Sequence, residues 1–413
     1  MSRNLILTYF ALFIVIVPAS FSQSNAGIAQ TAKLTSSNGR ANDFMGWSTA
    51  TDGVTVVAGA PHGIPTNTPG QVYVFEEPAN GWTAEQQTAE LKASDGTPEN
   101  QFGWSVGVSG DTIVVGAPEA ATPVVYVFVK PAGGWTNMTE TARLTVTGTV
   151  NTQLGYSVAI RANTIVIDGF NSNSTIGAAY VFEKPAGGWT DMTQTATLTS
   201  GVASDSFGFS LAMDEHTILV GAPEGNRQIG AAYIFVKPAT GWQDTSQANA
   251  ILIAPGKVND VVGYTVGFDD KVAVVSDLGA NNAKGAALIY VEPAGGWAGQ
   301  MTPSAELSED AADPGTNFAE EVAIRGELIA VSNSLENVGA NQNQGAVLVY
   351  VRPAAGWAST GTPNATLTAS DGETLDQFGW SLSVAPYTVA VGAFHAAVGS
   401  HPTQGADYVF TAK

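Results

Sequence analysis

One pattern recurs seven times along this chain, and it restricts the fold before any single residue is weighed. Each unit carries an A-x-L segment, a loop ending in FGWS or a relative, a strand ending in GAP, and a run resembling GAAYVFVKPAGGW. With the leucine of A-x-L as landmark, the units fall at Leu34, Leu91, Leu144, Leu198, Leu252, Leu307 and Leu367, 53 to 60 residues apart. A period of this length, built from short β-branched and aromatic runs, predicts propeller blades. Helical repeats of similar length would show apolar spacing of about 3.6, and no such stripe is visible.

Unit two gives the cleanest reading of a blade. Residues 102–108 (FGWSVGV) form strand A, 109–111 a turn, 112–117 (TIVVGA) strand B, 124–129 (VVYVFV) strand C and 141–145 (TARLT) strand D. Four such strands bounded by Gly, Pro, Asn and Asp make one blade. The first D-like segment, at residues 31–35, precedes any strand A, and the last unit stops at strand C with Tyr408-Val409-Phe410. Closure of the ring is therefore expected to lend the N-terminal strand to the last blade, which leaves no unpaired edge. The expected fold class is all-β, a seven-bladed β-propeller of four-stranded blades spanning residues 31–413.

Ahead of the repeats, residues 1–22 read as a secretory signal: Arg3, then an apolar stretch, then Ser20-Phe21-Ser22 at the cleavage position. Residues 23–30 read as a short linker. The expected localisation is secreted or cell surface, with no membrane span in the mature chain. There is no cysteine, so no disulfide staples the blades. Formal charge is −20, or −21 without Arg3, which excludes nucleic acid as a partner because phosphates demand Lys and Arg.

The pairing of FGWS with a following GAP resembles the FG-GAP repeat of integrin alpha-chain propellers and many secreted bacterial proteins. It stands here as Phe102-Gly103-Trp104 with Gly116-Ala117-Pro118, Phe207-Gly208-Phe209 with Gly221-Ala222-Pro223, Phe378-Gly379-Trp380 with Gly392-Ala393-Phe394, and Met45-Gly46-Trp47 with Gly59-Ala60-Pro61. Three units depart at the GAP position, with Asp168-Gly169-Phe170, Ser276-Asp277-Leu278 and Ser332-Asn333-Ser334, and these departures read as drift. The resemblance implies calcium loops between strands A and B in some blades. Here those links are two- or three-residue turns such as Ser109-Gly110-Asp111 and Asp269-Asp270, too short to wrap an ion, so no metal and no cofactor is expected.

Six tryptophans of the PAxGW turn, Trp82, Trp135, Trp189, Trp242, Trp297 and Trp357, recur between strands C and D. Repetition in every blade favours a structural plug packed on the next blade over a ring of sugar platforms. Each plug would bury about 150–250 Å², an upper bound of roughly 4–6 kcal/mol. Trp47, Trp104 and Trp380, with Tyr156, Phe209 and Tyr264 at the same position, read as core between neighbouring sheets. Asn137-Met138-Thr139, Asn173-Ser174-Thr175 and Asn364-Ala365-Thr366 match the N-glycosylation acceptor.

Variation concentrates in the D–A and B–C loops, which leave the ring on one face, and rigid scaffolds carry function on such loops. The candidate ligand-binding residues follow from that placement. They are His62 and Asn67 in unit one, Asp95, Glu99 and Glu119 in unit two, Asn173 in unit three, and Gly225-Asn226-Arg227 in unit four. Units five to seven add Asn281 and Lys284, Glu336 and Asn341, and His395 and His401. His62, His395 and His401 lie in loops that closure makes neighbours. No catalytic constellation stands out beyond the carboxylates of Glu320-Glu321 and its surroundings in unit six. These features predict a monomeric, non-catalytic recognition or adhesion propeller for an extracellular protein or glycan. The alternatives are a polysaccharide hydrolase or lyase using the unit-six carboxylates, and a structural surface-layer protein.

Overall fold

The structure, a computed structural model, describes residues 27–61, 68–147, 153–170, 177–309 and 318–412. The expected signal segment, with His62, Asn67 and Asn173, lies outside the described residues. Seven antiparallel sheets are arranged as the repeat predicts, each running A-B-C-D from the inner strand outward. Blade two comprises Val106–Ser109, Thr112–Gly116, Val125–Val129 and Ala142–Thr145. Its strand A starts later than the sequence suggests, because Phe102-Gly103-Trp104 is a turn leading into the strand.

Closure follows the expected route. Ile28–Thr35 pairs antiparallel with Ala406–Ala412, with Leu34 opposite Asp407, and so supplies strand D of blade seven. The strand begins at Ile28, inside the stretch read as linker. The outer edge is also covered in a way the repeat did not reveal. A two-residue strand just before strand D of one blade pairs parallel with strand D of the blade before it, as Met138–Thr139 does with Leu91 and Lys92. Equivalent pairings join Glu85–Gln86 to Leu34 and Thr35, and Met192–Thr193 to Leu144 and Thr145. An edge already paired is closed to further strands.

The PAxGW tryptophans pack on the preceding blade rather than the next. Trp135 shares a buried cluster with Val57, Val72 and Leu91 of blade one as well as its own Ile113 and Phe128. Trp189 sits likewise between blades two and three, and Trp242 between three and four. The reason is the path of the chain, which reaches back over the earlier blade before entering strand D. Two residues beyond four of the six tryptophans a side chain completes the clamp. Asn137 accepts from the Glu90 amide at 2.8 Å, Asp191 from Arg143 at 2.9 Å, Asp244 from Thr197 at 2.8 Å and Ser359 from Glu306 at 3.0 Å. The acceptor Asn of the first sequon therefore holds two blades together.

Inner strands are tied just as regularly. The serine of FGWS donates to the carbonyl of the next blade's FG glycine: Ser48 to Gly103 at 2.8 Å, Ser105 to Gly155 at 2.8 Å and Ser210 to Gly263 at 3.1 Å. Ser381 closes the circle on Gly46 at 2.8 Å. The GAP glycine lies against the same carbonyl, and a Cβ on Gly116 would stand 2.0 Å from the Gly155 oxygen. The three units that lack this glycine are compensated rather than merely drifted. In each, the replacing side chain accepts an amide from its own strand A: Asp168 from Ser157 at 3.1 Å, Ser276 from Thr265 at 2.8 Å, and Ser332 from Glu321 at 2.8 Å.

Candidate recognition site on the loop face

Because FGWS follows the D–A loop and enters the innermost strand, its aromatic residue stands at the loop-face end of the central axis. Trp47, Trp104, Tyr156, Phe209, Tyr264 and Trp380 are each half-buried and line one axial cavity of roughly 400 Å³. They are therefore channel wall, not core between sheets as the sequence suggested. Neighbouring rings touch around the axis. Trp380 lies 5.2 Å from Trp47, Trp47 4.8 Å from Trp104, and Trp104 5.3 Å from Tyr156. Tyr156 lies 5.3 Å from Phe209, and Phe209 4.8 Å from Tyr264. All five contacts are tilted, at interplanar angles of 43° to 51°.

Blade six interrupts the ring. At the aromatic position stands Glu320, which accepts from Ser334 Oγ, and the serine position is Glu321. Burial pushes the Glu321 carboxyl up to about 8, and the neighbouring Glu320 adds to the shift. Tyr264 is also raised, by burial first and then by Tyr156 and these two glutamates. At blades seven and one, next to this gap, the aromatic wall continues outward. Phe394 packs 4.7 Å from Trp380 and 5.2 Å from Trp47, with His395 3.9 Å from Phe394 and Phe44 5.5 Å from His395. Burial lowers the His395 pKa.

The other loop residues named from sequence are dispersed around this mouth, and several have structural partners. Asp95 accepts from Tyr126 Oη at 2.8 Å and pairs with Arg143 at 3.0 Å. Asn341 donates to Gln344 at 2.8 Å and to the Gly372 carbonyl at 2.9 Å. Glu119 accepts from Gln153, Asn281 donates to Glu306 at 2.8 Å, and Glu336 accepts from Asn333 at 2.9 Å. His401 meets Gln404 at 3.1 Å, while His395 belongs to the aromatic wall. Glu99 and Arg227 are exposed, Lys284 is half-buried, and Gly225 is buried. Among the described residues no group of three or more His, Cys, Asp or Glu is placed to hold a metal. Asp269, in the A–B turn of blade five, accepts from Arg325 at 2.8 Å and from the Gly326 amide at 2.7 Å.

A second acidic feature escaped the sequence reading. Asp277 ends strand B of blade five (Val272–Asp277), is 4% exposed, and has an Oδ1 with no partner. Burial and the adjacent Asp260 push its carboxyl up to about 7. A departure from GAP was the only signal, and drift explains such a departure equally well.

These features define a closed propeller with an aromatic axial mouth on its loop face. The family profile described as FG-GAP repeat matches residues 28–75, 86–128, 192–235 and 362–410, so the chain carries FG-GAP repeats on a seven-bladed propeller. Among solved structures it is similar to the WD40 domain of Toxoplasma gondii coronin, with a TM-score of 0.52 and 11% identity over 93% of this chain and 85% of that one. Identity at that level speaks for the fold alone. No curated protein matches the chain. Among the described residues no helix is long and apolar enough to cross a membrane.

Proposed function

We propose that this is a secreted, non-catalytic recognition propeller that takes an extracellular protein on its D–A and B–C loop face, with the aromatic mouth of the axial channel as anchor. The observation that carries this reading is the unbroken run of six aromatic rings interrupted only by Glu320 and Glu321. Aromatic faces attract cations, and a carboxylate among them adds charge complementarity. A lysine, arginine or quaternary ammonium group fits that chemistry better than a neutral sugar does. Export rests on the N-terminal apolar segment, and the acidic balance of −20 favours a basic partner.

The hydrolase alternative draws on the raised Glu321 beside Glu320. Glycoside chemistry needs two carboxyl groups flanking the scissile bond from opposite sides. Glu320 and Glu321 are consecutive on one strand, Phe318–Arg325, and approach from one wall. Binding without turnover is the better reading.

Titration with tetramethylammonium and with arginine-containing peptides, followed by tryptophan fluorescence, tests it directly. Trp47, Trp104 and Trp380 report from the mouth. Glu320→Gln and Trp104→Ala should each weaken binding about 5- to 30-fold, as cation–π and charge contributions of about 1–2 kcal/mol imply. Affinity should rise with pH as Glu321 ionises near 8. Saturable binding that ignores both substitutions, or polysaccharide turnover lost with Glu320→Gln, would sink the proposal.

A further inference from the structure

We infer that the D–A and B–C loops of blade five bind a hard divalent cation of calcium's size, with Asp260 and Asp277 as its carboxylate ligands. The inference is independent of the axial mouth and of the A–B turns. Asp260 belongs to the D–A loop and is 9% exposed, while Asp277 closes strand B and is 4% exposed. Both border Gly279. The Gly279 amide donates to the Asp260 carbonyl at 2.9 Å, and a Cβ built on Gly279 would stand 2.6 Å from both Asp260 Cα and Asp260 Oδ1. Having no side chain, Gly279 lets the D–A loop pack directly against the segment that follows Asp277.

Neither acid is neutralised within the fold. Asp260 Oδ2 accepts only from the Lys257 amide among the hydrogen bonds described for it, and Asp277 Oδ1 is buried without a partner. Among the described residues no ion pair reaches either one. A buried carboxylate oxygen left unpaired is costly, so the arrangement asks for a cation from outside.

The neighbouring blade shows the alternative solution to the same problem. Asn333 stands at the position of Asp277, as the pairings Asn333↔Ala346 and Asp277↔Ala286 establish. Its Nδ2 donates at 2.9 Å to both Glu309 and Glu336, so an amide feeds the carboxylates of blade six from within. Blade five has an acid where that donor would be. Two carboxylates balance a doubly charged ion, and loop carbonyls and water complete a coordination of six to eight oxygens as calcium prefers. The absence of His and Cys from the pair disfavours zinc.

The test uses the full chain with calcium chloride, magnesium chloride or EDTA, read by thermal denaturation and by calorimetric titration. Calcium at a hundredfold excess over its Kd should raise the Tm by about 3 °C, with magnesium weaker. Asp277→Asn copies the residue of blade six, so it should melt no lower than the parent in EDTA and lose the calcium shift. Asp260→Asn should lose it too. Glu215→Gln, which alters an exposed acid elsewhere, should keep it. A parent chain that gives neither heat nor a Tm shift with calcium overturns the site, and so does Asp277→Asn with the full shift retained.

Discussion

Asp407, in strand C of blade seven, is wholly buried; Thr49 donates to its Oδ1, and its Oδ2 has no partner. Burial pushes its carboxyl up to about 8, against which the Thr49 hydroxyl lowers it only in part. The unfolded chain ionises the same group near about 3.9, so at acid pH both states hold the proton and nothing is lost. Between these values the unfolded state releases a proton that the folded state keeps, and stability falls as pH rises toward 8. Asp407→Asn mimics the protonated form and removes that loss. At pH 8 the variant should be the more stable and melt several degrees higher, while at pH 4 the two proteins should melt within about a degree of each other. Equal melting at both pH values would show that Asp407 is not held protonated by the fold.

Between blades, the recurring glycine of GAP and serine of FGWS form one joint. The carbonyl of Gly155 receives Ser105 Oγ at 2.8 Å and lies against Gly116, where a Cβ would meet it at 2.0 Å. Gly116→Ala therefore forces two inner strands apart, at a cost of about 2–3 kcal/mol. Gly133→Ala, at a turn with nothing within 4 Å of a new Cβ, should cost under about 0.5 kcal/mol. Urea denaturation of the pair checks the contrast, and similar midpoints would refute the joint. The motif was legible in the sequence because it recurs in register; its partner was not, because the serine reaches the next blade. The same limit explains the channel. Phe102 and Trp104 differ by two positions, which on a strand means one face, yet they lie on a turn. Phe102 is fully buried between sheets, whereas Trp104 is half-buried at the axis. Trp104 read as core because aromatic residues recur at its position, and recurrence alone does not separate a channel wall from a sheet interface. Glu320 was legible as an acid but not as the gap in an aromatic ring, since that ring exists only after closure.

At the scale of the whole molecule, a ring of seven units without disulfides depends on its last seam. Each blade exchanges contacts with two neighbours, so opening one interface exposes two inner surfaces and one sheet edge. The seam is the N-terminal strand, Ile28–Thr35, held between Ala406–Ala412 and Glu85–Gln86. Ala32 and Leu34 bury their side chains with Trp82, Val56 and Val409, which belong to blades one and seven. A chain beginning at Ser36 keeps every other blade but loses strand D of blade seven and the apolar contacts on both sides of it. A chain beginning at Gly27 keeps them all. The shorter one should melt several degrees lower than the longer one, or associate through its bared edge, since the buried Ala32 and Leu34 are lost and Trp82, Val56 and Val409 are left partly bared, each large buried apolar side chain being worth about 1.5–3 kcal/mol. Supplying the segment 27–35 as a separate peptide should restore part of the lost stability by pairing with Ala406–Ala412. Calorimetry with size-exclusion chromatography distinguishes these outcomes, and identical melting of the two chains would mean that the ring closes without its N-terminal strand.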